Sequence, residues 1–304
     1  MGYQAPVRDM QFLFDDVLEI DRYANLAGFA DATKDTRDQI LDEAAKFCAE
    51  VIAPLNAIGD KQGCTLNPDH SVKVPDGFTE AYQQLVEAGW PLLAADPDFG
   101  GQGLPHIVNM AFSEMMSSAN MAFGMYPGLT HGCYSAIHEG GSDTQKQLYL
   151  PKLASGEWAG TMNLTEPHCG TDLGLLRTKA IHQADGTYQI TGQKIWISGG
   201  EHSMTSNHIH LVLARIEGAP AGVKGISLFI VPKFIVHPDG SLGARNNVHC
   251  VGLEEKMGIH GNATCVMQYE GATGYLIGQE NKGLSIMFVM MNEARLGVGL
   301  QGMA

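Results

Sequence analysis

Residues 162–172 read MNLTEPHCGTD: a short apolar run ends in a hydroxyl, an acid and a proline, then passes through Gly170 to a second hydroxyl and acid. MNL reads as a strand end. Pro167 has no N–H to give a ladder and stops the strand, and Gly170 permits a tight turn. Such a turn leaves backbone N–H groups and the Thr165 and Thr171 hydroxyls facing whatever lies above. That donor set suits a carbonyl-rich ring or a phosphate. A plain solvent-facing loop has the same composition, and the stretch alone does not separate the two.

Working outward, the chain changes character just before this stretch. After Gly156, the segments WAGTMNL, RTKAIHQ, TYQI, KIWIS, HIHLVLARI and GISLFIVP are short, β-branched or alternating, and punctuated by Gly, Asp and Pro. They predict a β block of roughly 110 residues with no helical periodicity inside it. The preceding half reads as helix. In 35–53, Ile40, Ala44, Phe47 and Val51 fall at helical spacing and Pro54 closes the segment. Residues 77–90 form a second amphipathic stretch and 106–124 a third, rich in Met and Ala, separated by the loop ADPDFGGQGLP at 95–105. At 141–154, Ser142 followed by Gln145 has the pattern of a capping box.

From Gly283 a helical pattern returns, LSIMFVMMNEARLGVGLQGMA, apolar on most sides and therefore expected among other helices. The pattern stops at Ala304 with no closing cap, which reads as a truncated gene product. The expected fold class is α+β. It comprises an extension at 1–34, a helical domain at 35–157, a barrel-like β domain at 158–277 and the start of a further helical domain at 278–304.

Composition narrows the function. A formal charge of −14 over 304 residues argues against gripping nucleic acid or anionic lipid by bulk attraction. The first 30 residues are interrupted by charges, as no signal peptide is, and no run of about 18 apolar residues predicts a membrane span. Six scattered cysteines without a CxxC pair suit reduced thiols, and the expected location is cytoplasmic.

The second stretch with chemical content is GQKIWISGG at 192–200. Trp196 stands at the end of an alternating strand, flanked by Lys194 and followed by Ser198. Such a Trp either closes the sheet core or offers a face to a flat heteroaromatic cofactor, with hydroxyls at the ring edge. Three further features carry open readings. His208 and His210 alternate on one strand, as a metal pair or as a polar strand face, with no third ligand nearby. The Met-rich stretch 110–125 is pocket or core, with Met121 and Tyr126 as candidates for both. The acidic N-terminal run is expected to be a solvated face.

Taken together, LTEPHCGTD (164–172) followed by GQKIWIS (192–198) resembles the two flavin-contacting strands of the acyl-CoA dehydrogenase family. PDFGGQG (97–103), GSDTQKQLYLPKLASGE (141–157), KMGIHGNAT (256–264), GQENKGL (278–284) and MNEARLGVG (291–299) follow in the family's order and spacing. The N-terminal extension and MYPGLTHG (125–132) resemble a subgroup that includes enzymes of 3-methylmercaptopropionyl-CoA. The resemblance covers nearly the whole chain and implies FAD as cofactor. It implies α,β-dehydrogenation of an acyl-CoA to the trans-2-enoyl-CoA within fatty acid metabolism. An electron-transfer flavoprotein would be the acceptor, and a homodimer or homotetramer the assembly.

By motif, the resemblance places Met162, the Leu164 and Thr165 backbone, Trp196, Ile197 and Ser198 at the flavin ring. It places Gly170 and Thr171 near the pyrophosphate, with Thr171 also reaching the pantetheine arm. Asn292 and Arg295 fall on the thioester side, Asn292 where Asp is commoner. No residue matches the family's catalytic Glu, so the base is expected beyond Ala304 and residues 1–304 alone are expected to be inactive. Glu166 is rejected as a substitute in favour of a capping or solvated role in the turn. A nucleic-acid-binding relative of the DNA-damage-response branch is the alternative, against which the charge speaks.

Overall fold

The computed structural model describes residues 2–304. The amino-terminal part is helical: α1 (Val7–Phe12), α2 (Lys34–Phe47), α3 (Ala53–Gln62), α4 (Phe78–Glu87), α5 (His106–Gly140) and α6 (Asp143–Ala154). A two-stranded ribbon of β1 (Thr65–Leu66) and β2 (Val72–Lys73) interrupts them. The capping box at the start of α6 is present, Ser142 and Gln145 each bonding the other's backbone N–H.

Pro54 does not close the helical segment at 35–53. One π-helical turn, Cys48–Ile52, joins α2 to α3 and places Pro54 in the first turn of α3. A proline is tolerated there because its missing N–H would have no intrahelical acceptor. Likewise, α5 runs past residue 124 to Gly140. Its backbone breaks at Asn120 (φ −163°, ψ 89°), whose Oδ1 accepts the Phe123 N–H at 3.1 Å and caps the second arm. The two arms fold back so that His106 stacks on His131, with ring centroids 5.4 Å apart and planes 12° apart.

The acidic N-terminal run is not simply a solvated face. Met10, Phe14 and Ile20 are buried, and Asp15 and Asp21 each accept from the buried Arg37 guanidinium at 2.7 Å. Arg37 also donates to the Ala32 carbonyl, so the extension is held by a charge it could not leave unpaired.

The β domain comprises β3 (Trp158–Asn163), β4 (Lys179–His182), β5 (Tyr188–Ser198), β6 (Asn207–Ile216), β7 (Ser227–Pro232), β8 (Phe234–Val236), β9 (Leu242–Arg245), β10 (Val248–Leu253) and β11 (Thr264–Ile277). Strands β5, β4, β6, β7 and β11 pair in that order and β11 returns to β5, closing a barrel. β3 adds parallel to β6 and β10 antiparallel to β11. Strand β11 serves both ends of the ring by pairing with β5 over residues 264–274 and with β7 over 275–277, and it bulges at Gly271 (φ +72°), between the Glu270 and Ala272 pairings. Closure removes the open edges that an antiparallel sheet would otherwise expose.

Helix α7 (Gly283–Met303) lies on α5. It approaches closely because two α5 positions lack a Cβ: one at Gly140 would meet Ile286 at 2.5 Å, and one at Gly132 would meet Met290 at 2.9 Å. Met287 and Met290 are buried, whereas Leu296, Val298 and Met303 are exposed. The helix therefore buries one stripe among the described residues, short of the all-round burial its composition implied. All six cysteines are free thiols, and among the described residues no helix is long and apolar enough to cross a membrane.

Candidate functional site

The turn after β3 is built around Glu166. Its backbone exchanges two hydrogen bonds with Cys169 (2.8 and 3.0 Å), folding Pro167 and His168 outward. Its carboxylate accepts from the backbone N–H groups of Arg177 (2.6 Å) and Thr178 (3.0 Å), the Thr178 hydroxyl (2.6 Å) and the Lys194 ammonium (2.9 Å). Lys194 is fully buried on β5 and donates also to the Leu164 carbonyl at 2.9 Å. Burial alone would push the Glu166 carboxyl up; Lys194, Thr178 and Arg177 outweigh it and hold the carboxyl below the usual carboxylate range. Burial also lowers the Lys194 ammonium, with Glu166 pulling the other way. Glu166 is thus neither solvated nor free to take a proton from a substrate. It is the bolt that fixes the turn to β4 and β5.

The bolt decides which groups of the turn remain available. The Leu164 carbonyl is taken by Lys194 and the Thr165 carbonyl by the Ile195 N–H at 2.9 Å. Both acceptors are spent inside the protein. The Thr165 hydroxyl and the Ser198 hydroxyl have no protein partner among the described residues, and both are half-buried. Gly170 and Thr171 are exposed, and a Cβ on Gly170 would press on the Thr165 methyl at 3.4 Å.

Trp196 does not close the core. β5 places two residues, Ile195 and Trp196, opposite the single Val266 of β11, a β-bulge. Trp196 takes φ +61°, a left-handed conformation that costs a bulky residue roughly 1–3 kcal/mol. The bulge turns the indole outward, 50% exposed, while Ile197 beside it is buried. The bulge thus leaves a large aromatic face outside the sheet, able to stack on a flat ring.

Met162 at the end of β3 and Ser198 at the end of β5 share a cavity of about 300 Å³ with helices α5 and α7. Met110, Met116, Met125 and Met290 supply its apolar wall, and Trp90 its floor, stacked on Phe112 at 4.6 Å. Met121 and Tyr126 are not on that wall. The Tyr126 hydroxyl donates to the Gly261 carbonyl (3.1 Å) and accepts the Ala263 N–H (2.8 Å), a strut between α5 and the β domain. The structure thus divides the Met-rich stretch between pocket (110, 116, 125) and packing.

His208 and His210 do not form a polar strand face open to water; both are buried, packed with His202. Burial pushes His202 and His210 down to about 3, and His208 well below its ordinary value, so all three are neutral. His210 bonds the Thr161 hydroxyl at 2.7 Å. Glu166, His168 and Cys169 bring donor atoms within 4.8 Å of one another, but the Glu166 oxygens are already occupied as described. On α7, Arg295 donates to Asn292 Oδ1 at 2.7 Å and lies over the Phe288 ring, so the two predicted thioester-side residues are paired with each other. Sequence reasoning did not single out Lys194 as a buried anchor, nor Glu293, which lines the cavity from α7. The alternation of β5, which points Lys194 inward, was the signal available for the first.

The acyl-CoA dehydrogenase N-terminal domain model matches residues 34–157 and the acyl-CoA dehydrogenase middle domain model residues 161–272. The chain is 47% identical over its full 304 residues to a 3-methylmercaptopropionyl-CoA dehydrogenase of Ruegeria pomeroyi, covering 52% of that protein. It is 37% identical over 310 residues to a butyryl-CoA dehydrogenase of Syntrophomonas wolfei, with 98% of this chain and 51% of the relative covered. The solved structure of an acyl-CoA dehydrogenase complexed with FAD from Bacillus anthracis superposes with a TM-score of 0.71 at 25% identity, over 88% of this chain and 42% of that one. The chain spans about half the length of the curated relatives it matches.

Proposed function

Because the chain belongs to the acyl-CoA dehydrogenase family and carries its N-terminal and middle domains, we propose that it forms the flavin- and thioester-binding part of an FAD-dependent enzyme. That enzyme converts an acyl-CoA to the trans-2-enoyl-CoA. The observation that carries the reading is the shared cavity. Met162 and Ser198, from two strands of the β domain, open onto the same space as the methionines of α5 and α7.

The residues present fit FAD. With the Leu164 and Thr165 carbonyls spent, the turn offers donors, as a ring edged with carbonyls requires, and the Ser198 hydroxyl adds another. The exposed face of Trp196 suits the ring plane, and Gly170 and Thr171 suit the pyrophosphate. Bound FAD supplies hydride acceptance from the β-carbon. The chain's own part is to hold the thioester in the cavity, with Asn292 and Arg295 toward its CoA side, and to keep water from it. The α-proton needs a carboxylate base on the opposite face. Glu166 is excluded by its four hydrogen bonds, and we place the base outside residues 1–304. The domain partition at 34/35, 157/158 and 277/278 belongs to this reading.

We name 3-methylmercaptopropionyl-CoA as the first substrate to try, on the strength of the 47% identical relative. An electron-transfer flavoprotein as acceptor, a homodimeric or homotetrameric assembly and a cytoplasmic location complete the proposal. The test is a flavin absorbance spectrum of the purified full-length protein, followed by anaerobic titration with acyl-CoA thioesters. Bleaching of the flavin is the expected result. Absence of bound flavin, or a flavin that no thioester reduces, overturns the reading.

A further inference from the structure

The cavity has a polar wall that a plain hydrocarbon chain would leave unpaired. Along the first arm of α5, His106, Asn109, Ser113 and Ser117 recur at helical spacing and all line it. His131 joins them from the second arm, and Glu293 completes the set from α7. Glu293 Oε2 is shut off from solvent and has no hydrogen-bond partner among the described residues. It sits 3.8 Å from the point a Cβ on Gly132 would occupy, an ordinary contact distance.

Among the described residues no cation is paired with this carboxyl. Burial pushes Glu293 up, while a hydrogen bond from the Ser135 side chain and the neighbouring His106 pull the other way, so Ser135 serves the carboxyl and Oε2 is the oxygen left without a donor. Burial lowers both His131 and His106, the latter helped by His131, so neither imidazole carries a charge to Glu293 at neutral pH. Arg295, two residues along the same helix, is spent on Asn292 and the face of Phe288. A buried acceptor without a donor costs free energy, and a purely apolar ligand would perpetuate that cost.

We infer that the cavity takes an acyl thioester whose chain carries a hydrogen-bond donor, a hydroxyl or amino group beyond the two reacting carbons, and that Glu293 Oε2 accepts from it. The inference rests on the dehydrogenase reading and deepens it to a substrate class. The bonds made and broken at the α- and β-carbons are unaffected, so Glu293 acts as a specificity-determining residue. A site built to bond a substrate hydroxyl discriminates far more strongly than one that only measures length.

The experiment uses the full-length holoenzyme and pairs of unsubstituted and ω-hydroxylated acyl-CoA thioesters of equal chain length. The wild type is expected to favour the hydroxylated member in kcat/KM at the chain length that reaches Glu293. Glu293→Leu is expected to collapse that preference by about 100-fold, and Glu293→Gln, which keeps an acceptor oxygen, to retain most of it. Calorimetric binding of the corresponding non-reactive thioethers gives the same ratio without turnover, and Glu293→Ala, which removes the acceptor without adding bulk, serves if the leucine variant does not fold. An unchanged ratio in the leucine variant, or a wild type that prefers the plain member at every length, overturns the inference alone. Failure of both members to bind the wild type overturns the dehydrogenase reading, and this inference with it.

Discussion

Replacing Lys194 by Met tests whether the turn around Glu166 is held by a buried charge pair. The ammonium is fully buried and makes two bonds, to Glu166 Oε1 and the Leu164 carbonyl, each of 2.9 Å. Removing it leaves a 3%-exposed carboxylate without its counter-charge, which costs about 3–5 kcal/mol. It also orphans a carbonyl, worth roughly 1–3 kcal/mol more. The three remaining donors, from Arg177 and Thr178, and uptake of a proton by Glu166 offset part of this. A net loss of about 4 kcal/mol is expected. The double variant Glu166→Gln/Lys194→Met removes the unpaired charge but keeps an acceptor for Arg177 and Thr178, so it should recover about half.

The pH dependence has a definite sign. In the wild type Glu166 is held below its unfolded range, so its contribution is present above that range and lost as pH falls through the folded pKa. Without Lys194, burial pushes the Glu166 carboxyl up, and the folded variant takes up a proton that the unfolded chain does not. Its deficit should therefore shrink on acidification from about pH 7 to about pH 5, and further below the ordinary carboxylate range as the wild type loses its own contribution. Urea unfolding of the full-length protein followed by circular dichroism gives the stabilities, and flavin retention on gel filtration reports the turn. A variant within about 1 kcal/mol of wild type, or a deficit independent of pH, would refute the reasoning.

Three further outcomes are expected. His202 and His210, buried neutral at about 3, oppose acid: the unfolded chain takes protons below about 6.5 that the native one refuses, so stability falls with pH below that value. Each should cost about 2 kcal/mol at about pH 5, and a urea midpoint flat between neutral pH and that value would contradict this. Trp196→Gly relieves a left-handed backbone, so stability without flavin should hold or rise by up to about 1 kcal/mol while flavin retention drops; equal retention sinks the assigned face. Asn120→Ala deletes the cap of the second α5 arm and should cost about 1 kcal/mol in thermal unfolding, where no change would show the bend to be held elsewhere.

The order of elements was legible in local chemistry. Gly156 and Pro167 punctuate the chain where helix gives way to strand and strand to turn, and Ser142 with Gln145 announced α6 correctly. Pro54 misled because one π turn changes which N–H groups need acceptors, and that register is set by packing between α2, α3 and α5. The α5 bend at Asn120 was hidden for a similar reason: an asparagine inside a Met- and Ala-rich pattern carries no sign of whether it caps or merely interrupts.

By itself the sequence determined the division into helical and β halves and the position of the donor-rich turn. These follow from periodicity, proline and glycine, which act over a few residues. Only the tertiary structure decided what each side chain does. Glu166 and Lys194 are 28 residues apart in the chain, and their burial together turned an apparent loop acid into a bolt. The bulge opposite Val266 sent Trp196 outward instead of into the core. The fold-back at Asn120 and the glycines under α7 set Glu293, whose Oε2 has no partner among the described residues, against a polar stripe 176 residues or more upstream. Burial, charge pairing and strand register arise between distant segments, and no local pattern encodes them.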